Sequence, residues 1–259
     1  ANPSPGYIIN KLKSIPDYEG LFENAYGTPP NMDNISRALA AYQYSLVSAN
    51  SPFDKWYYGG QSNAVNESVK RGFEIFSGKG NCVACHLMNE KYALFTDEKL
   101  HNTGMGFATS MYVEPPRKKV VLAPGIEVDV DTSVYANDSR FKNEIAPNDL
   151  GLYVITQDPH DRWKFRTPTL RNVELSAPYM HNGQLSTLRE VVEFYNKGGT
   201  KSVGKHKNET ISPLMFELNL TDNEINDVVA FLKALTGENM DELIMDAFAV
   251  PVGDVSLDD

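Results

Sequence analysis

The chain has 259 residues, of which 41% are hydrophobic and 22% charged, and its formal net charge is −10 at pH 7. This composition is typical of a soluble globular protein with one large domain or two modest ones. The negative charge argues against a nucleic-acid partner, which requires a clustered basic surface, and favours a basic partner.

Neither a membrane span nor a signal peptide is evident. No apolar run approaches the roughly 20 residues needed to cross a bilayer. The opening residues, ANPSPGYIIN, lack the basic and apolar regions of a signal peptide, which is compatible with a signal peptide that has already been removed.

Helical periodicity predicts a mainly α fold with Pro- and Gly-rich connections. A first helix is predicted from Asp33 to Leu46, with Asp33 or Asn34 as its N-cap, and a second from about Asn66 to Phe76. Their apolar faces consist of Ile35, Leu39, Tyr42 and Leu46 in the first helix and of Val69, Phe73 and Phe76 in the second.

Residues 87–165 are less regular, and the alternation in VLAPGIEVDVD predicts at most a short hairpin. Two later helices begin at capping boxes, Thr187 with Glu190 and Thr221 with Glu224. Their predicted buried residues are Leu188, Val191, Val192 and Tyr195 in one helix and Ile225, Val228, Val229 and Leu232 in the other. An acidic tail follows Gly237, with an amphipathic patch at Leu243, Ile244 and Phe248.

The only two cysteines lie in the sequence CVACH, residues 82–86. This C-x-x-C-H spacing is the attachment signature of c-type haem, in which both thiols add to vinyl groups and the histidine binds iron. Zinc is a weaker alternative, because two cysteines would have to recruit histidines at no recognisable spacing. A redox dithiol is also weaker, because it requires a βαβ setting that the sequence does not show. Covalent haem c predicts assembly outside the cytoplasm, and therefore the bacterial periplasm.

A second axial ligand has several candidates in one region, namely Met180, His181 and Tyr195. A methionine raises the reduction potential, a nitrogen or phenolate ligand lowers it, and a vacant position admits peroxide or another small molecule. Spacing alone leaves Tyr195 as either a core residue or a ligand. Arg166 and Arg171 are either partners of the haem propionates or solvated side chains.

Four segments, taken in order, resemble the bacterial dihaem cytochrome c peroxidase family, including its MauG-like branch. They are ISRALAAYQYSLVSANSPFDKWYYGG, GFEIFSGKGNCVACH, FRTPTLRNVELSAPYMHNGQLSTLREVVEFYNKGG and VVAFLKALTG. The resemblance extends from about Pro5 to Glu238. It implies a class I cytochrome c-like helical haem domain joined to a partial second helical domain.

The resemblance also implies roles for individual residues. Cys82 and Cys85 would be the thioether residues of the electron-transfer haem and His86 its proximal ligand. Tyr195 lies fourteen residues after His181, where the peroxidases have a methionine ligand, and this is the MauG-like substitution.

Other positions in the same region are expected to surround the haem. The resemblance places His181 near the haem edge, and Met180 is the rival axial ligand. The backbone carbonyls of Ser176 and Pro178 would help to bind calcium.

The chain departs from the family in carrying one haem motif instead of two. We therefore expect residues 1–60 to be the remainder of the peroxidatic (first haem) domain without its haem motif. Residues 61–238 would form the cytochrome c-like haem domain, and residues 239–259 an acidic tail docking on the first domain. The sequence is then a fragment, one chain of a complex with a companion polypeptide, or a single-haem derivative.

The implied function is oxidation driven by hydrogen peroxide, with a small redox protein or a protein substrate as partner. The peroxidatic residues lie outside this sequence, so its catalytic residues are unknown. Trp56, beside Tyr57 and Tyr58, is a candidate electron relay, although an aromatic cluster of this kind is more often simple packing. The alternatives are a single-haem electron carrier without peroxidase activity and a haem sensor with an open distal site.

Overall fold

The computed structural model describes residues 4–112, 117–123, 126–131 and 149–248. Its helices are α1 (Pro5–Ser14), α2 (Leu21–Tyr26), α3 (Met32–Ser45), α4 (Pro52–Tyr57), α5 (Glu67–Ser77), α6 (Met105–Tyr112), α7 (Tyr153–Thr156), α8 (Leu188–Asn196), α9 (Asp222–Lys233) and α10 (Met240–Phe248). Its strands are β1 (Leu100–His101), β2 (Arg117–Ala123), β3 (Ile126–Asp131), β4 (Phe165–Arg166), β5 (Ser202–Val203) and β6 (His206–Lys207). The expected mainly α fold is confirmed.

The strands form three separate antiparallel pairs, β1 with β4, β2 with β3, and β5 with β6. The short hairpin expected in VLAPGIEVDVD is present as β2 and β3, with an irregularity between Val121 and Ala123. Among the described residues, no helix combines the length and the apolar character needed to cross a bilayer.

The chain forms two compact units, one of residues Ala1–Asn50 with Gly237–Asp259 and one of Ser51–Thr236. Residues 51–60, which we expected to belong to the first region, lie in the larger unit, where Phe53 is fully buried. The functional division at residue 60 stays a prediction.

In the smaller unit, the N-cap of helix α3 lies two residues before Asp33 and three before Asn34, the two expected caps. The cap is Asn31, whose side chain accepts from the N–H groups of Asp33 and Asn34, so the expected cap at Asp33 or Asn34 was wrong. Asn34 completes a capping box and is buried. The predicted apolar face is also only partly buried, because Ile35 is covered whereas Leu39 and Tyr42 are 58% and 47% exposed.

Hydrogen bonds join the two chain segments of the smaller unit. The Asn239 side chain donates to the Val47 carbonyl and accepts from the Ala49 N–H, and the Glu238 N–H donates to the Ala49 carbonyl. Helix α10 follows directly. The remainder of the predicted tail, residues 249–259, lies outside the described residues.

The larger unit is built on the crossing of α5 and α9, with α8 packed on α9. Gly72 allows this close approach, because a Cβ at this position would overlap the backbone carbonyl oxygen of Asp227. Beside the crossing lies a core of large aromatic side chains, each almost completely buried: Phe53, Phe76, Phe95 and Phe231. This core supports the end of α5, where the haem motif begins.

The predicted helix starts in the larger unit are confirmed, but four residues predicted on its buried helix faces are only partly buried, namely Phe73, Val191, Tyr195 and Val229. Helix α5 is capped by Asn66, and the capping boxes at Thr187 and Thr221 are confirmed. The buried positions in these helices are Val69 and Phe76 in α5, Leu188 and Val192 in α8, and Ile225, Val228 and Leu232 in α9.

Candidate functional site

The C-x-x-C-H motif occupies a tight turn at the end of α5. Asn81 has a left-handed backbone, and Cys82–Ala84 form one turn of 3₁₀ helix. The His86 N–H donates to the Cys82 carbonyl at 2.9 Å. Gly80 is needed here, because a Cβ would lie 2.8 Å from the Ile75 carbonyl oxygen and 3.3 Å from the Cys82 sulfur. The turn therefore presents both thiols and the imidazole at one place.

The His86 imidazole is oriented by the backbone of a neighbouring loop. Its Nδ1 lies 2.7 Å from the carbonyl oxygen of Phe95. A carbonyl can only accept, so Nδ1 carries the proton and Nε2 keeps its lone pair. Burial lowers the pKa of His86, which also favours the neutral ring. These are the properties of a histidine that binds a metal through Nε2.

The two cysteines are free thiols, one largely buried and one beside an acidic side chain, Asp97. Neither is in a disulfide. Burial raises the pKa of Cys82 to about 12 and also raises the pKa of Cys85. Reactive dithiols require lowered pKa values, so this environment argues against the redox-dithiol alternative. Free, adjacent thiols beside a neutral histidine fit covalent haem attachment.

Tyr195 lies on α8, one helical turn after the buried Val192. Burial raises the pKa of Tyr195, and the nearby Cys82 and Cys85 thiols raise it further. Tyr195 is half-buried, and the described residues offer its hydroxyl no hydrogen-bond partner. No fully buried side-chain oxygen or nitrogen among those residues lacks a partner, so this hydroxyl is accessible and not sealed in the core. A hydroxyl placed beside both cysteines without a protein partner fits an oxygen ligand to haem iron.

Met180 shows no comparable relation to the motif. It lies in the turn between the paired residues Tyr179 and Leu185 and has a left-handed backbone with φ of 67°. Within the described part of the chain, the side-chain hydrogen bonds of Cys82 and His86 go to the Gly80 and Phe95 carbonyls and not to Met180. The choice between Tyr195 and Met180 as axial ligand nevertheless stays a prediction.

His181 is held by two neighbours. Its Nε2 lies 2.6 Å from an Asp149 carboxylate oxygen, and its ring stacks on Phe165 with centroids 3.5 Å apart. The next polar side chains of this turn, Asn182 and Gln184, both donate to the Thr109 hydroxyl. His181 is therefore an oriented, hydrogen-bonded side chain, and its place near a haem edge stays a prediction.

Arg171 is engaged by protein acceptors. Its two terminal nitrogens each lie 2.7 Å from one oxygen of Asp54, and its Nε donates to the Ala93 carbonyl at 2.7 Å. A further bond reaches the Ser51 hydroxyl at 3.2 Å. The side chain thus links α4 to the loop after β4, which leaves little donor capacity for a propionate. Arg166 is exposed and lies 3.6 Å from Glu98.

The remaining predicted positions lie at the surface or on α4. Ser176 and Pro178 are exposed, and neither carbonyl accepts a hydrogen bond from the described residues, so both can still bind a cation. Trp56 is half-buried on α4 and contacts Phe53 and Phe73 edge to face, with ring centroids 6.0 and 5.7 Å apart.

Sequence reasoning missed one group beside the motif. His101 Nε2 lies 2.7 Å from Asp97, and one ligand atom each of Cys85, Asp97 and His101 lie within 4.8 Å of one another. Sequence offered only a weak signal, an acid and a histidine four residues apart. Within the described residues, this group does not include Cys82 and uses His101 Nε2 for the Asp97 bond, so it gives little support to zinc shared by both cysteines.

Known proteins are similar to this chain over most of its length. A family model described as di-haem cytochrome c peroxidase matches residues 1–62. Cytochrome-c peroxidase IdrP1 of Pseudomonas sp. strain SCT is 36% identical over 242 residues, which are 91% of this chain and 58% of that protein. Methylamine utilization protein MauG of Methylorubrum extorquens is 31% identical, over 92% of this chain and 54% of its own length.

A solved structure gives the same result. A MauG-like protein associated with microbial copper homeostasis superposes with a TM-score of 0.63 at 28% identity, covering 92% of this chain and 64% of that one. The chain thus spans little more than half the length of the curated relatives named above. Over most of its length, the chain is similar to proteins of the dihaem cytochrome c peroxidase and MauG family, of which it covers a part.

Proposed function

We propose that this chain carries the electron-transfer haem of a hydrogen-peroxide-driven oxidoreductase of the MauG type, and that it works in the periplasm. The observation that carries this proposal is the His86 hydrogen bond to the Phe95 carbonyl, which leaves a neutral Nε2 beside two free thiols. The peroxide-binding haem lies outside this sequence, on a preceding segment or a companion chain.

Haem held by Cys82 and Cys85 would supply reversible one-electron chemistry at its iron. His86 would hold the iron through Nε2, while the Phe95 carbonyl keeps the proton on Nδ1 and fixes the ring. Tyr195 would hold the iron through its oxygen, and an oxygen ligand would favour high oxidation states over ferrous storage. Reduction of hydrogen peroxide to two waters consumes two electrons and two protons, and this chain delivers electrons drawn from a redox protein or a protein substrate.

Trp56 is the proposed relay for these electrons. Its half-buried indole touches the aromatic core through Phe53 and Phe73. Calcium bound by the carbonyls of Ser176 and Pro178 belongs to the same proposal. The periplasmic location follows from the covalent haem, whose attachment takes place outside the cytoplasm.

The proposal is tested by intact mass of the native sample under denaturing conditions, with haem quantified by pyridine haemochrome. We expect one haem on this chain and a second on a linked or co-purifying segment, with peroxide consumption that requires both. One haem on a chain of this length without any partner would refute the dihaem mechanism. A Met-to-iron charge-transfer band would then favour the single-haem carrier, and carbon monoxide binding to the reduced protein would favour a sensor.

A further inference from the structure

Asp97 is a nearly inaccessible carboxylate in the loop that follows the haem motif. Its side chain is 4% exposed. One oxygen lies 2.7 Å from His101 Nε2, and the other accepts the Lys99 backbone N–H at 3.0 Å. Hydrogen bonding from His101, Lys99 and Thr167 lowers the pKa of Asp97 to about 2, against the opposing effect of burial. Its surroundings therefore stabilise the ionised form.

This carboxylate lies beside one of the two cysteines. The Cys85 sulfur and one ligand atom each of Asp97 and His101 lie within 4.8 Å of one another. A sulfur that forms a thioether to haem is bonded to the edge of the porphyrin. Asp97 is consequently next to that edge whenever Cys85 carries haem.

We propose that Asp97, oriented by His101, places a fixed negative charge at the Cys85 edge of the haem and lowers its reduction potential. This inference rests on the proposed attachment of haem to Cys82 and Cys85. The Nε2–H bond from His101 and the N–H bond from Lys99 hold the carboxylate in place and stabilise its ionised form. A nearby negative charge stabilises the oxidised iron relative to the reduced iron, and low exposure limits the screening of that effect by water and salt.

The proposal predicts that Asp97 affects the reduction potential of the haem and that its neighbour Glu98 does not. Glu98 is 67% exposed at the side chain, and solvent screens it. Both are acids on one short segment, so replacing either by its amide removes one formal charge. Only Asp97 combines low exposure with proximity to Cys85.

The test is a spectroelectrochemical titration of haem-loaded protein with the variants D97N, E98Q and H101Q. We expect D97N to shift the ferric–ferrous equilibrium toward the reduced form at least about tenfold, which is about 59 mV for a one-electron couple. E98Q should match the unaltered protein. H101Q retains the carboxylate, so its potential should be at or below that of the unaltered protein.

Three results separate the possible failures. If intact mass shows no haem on Cys82 and Cys85, the proposed function fails. If haem is attached but D97N has an unchanged potential, the Asp97 inference alone is overturned. If D97N and H101Q both raise the potential by similar amounts, the pair acts through local structure and not through the Asp97 charge, which also overturns the inference.

Discussion

The crossing of α5 and α9 predicts a large effect of replacing Gly72 with alanine. A Cβ at residue 72 would overlap the backbone carbonyl oxygen of Asp227 and lie 2.9 Å from the Phe231 Cβ. Backbone atoms cannot rotate away as a flexible side chain can. The two helices would therefore have to separate, and α5 leads directly into the turn that holds Cys82.

The expected magnitude follows from two opposing effects. Alanine is favoured over glycine inside a helix by about 1 kcal/mol. Inserting an extra carbon into a close-packed contact costs about 1–3 kcal/mol, occasionally more. The obstacle here is backbone, so the upper end applies and the net loss is about 2 kcal/mol. For a unit of this size, that corresponds to a fall of roughly 4–8 °C in Tm.

The assay is thermal and urea unfolding of haem-loaded G72A, followed by circular dichroism and by the haem absorbance. The matched control is G6A, another helical glycine, at which an added Cβ would meet no atom within 4 Å. We expect G6A to leave the transition of the larger unit unchanged. A G72A protein as stable as the unaltered one would refute the assignment of this glycine to the helix contact.

Three further predictions concern charge and ligation. R171M should destabilise the larger unit by about 3 kcal/mol in urea unfolding, because it leaves the largely buried Asp54 unpaired, and adding D54N should recover part of this loss. The Arg71 hydrogen bond lowers the pKa of Asp227 below its ordinary value of 3.8. The ionised carboxylate therefore stabilises the folded protein fully above pH 3.8, and this stabilisation is lost as the pH falls through the pKa of the folded state. D227N should remove this loss, so the urea midpoint of the variant should fall less steeply at acid pH. Y195F should allow the reduced protein to bind carbon monoxide, whereas Y195M should raise the reduction potential and produce a Met-to-iron band; ultraviolet–visible spectra of both variants decide this.

The helical pattern was predictable where local signals were strong. Thr187 with Glu190 and Thr221 with Glu224 mark helix starts through side-chain bonds to nearby N–H groups, and both capping boxes are present. The start of α3 was harder to predict, because Asn31, Asp33 and Asn34 are all suitable caps. Asn34 is buried, and its side chain donates to the carbonyls of Thr28 and Pro29 in the segment just before the helix, which leaves Asn31 as the cap.

The haem motif was readable because its chemistry lies in five consecutive residues. The residues that orient the motif could not be predicted from the sequence in the same way. The Phe95 carbonyl that holds His86 leaves no trace in side-chain type, and Asp97 with His101 offers only a spacing that many surface pairs share. Arg171 shows the same limit, since its acceptor Asp54 lies 117 residues away.

Asp54 belongs to two local structures at once. Its Oδ2 closes the capping box of α4 by accepting from Ser51, and Arg171 donates to that oxygen and to Oδ1. Replacing Asp54 therefore disturbs both the start of α4 and the link from α4 to the loop that holds Arg171. In related sequences, we therefore expect the residues at positions 51, 54 and 171 to co-vary.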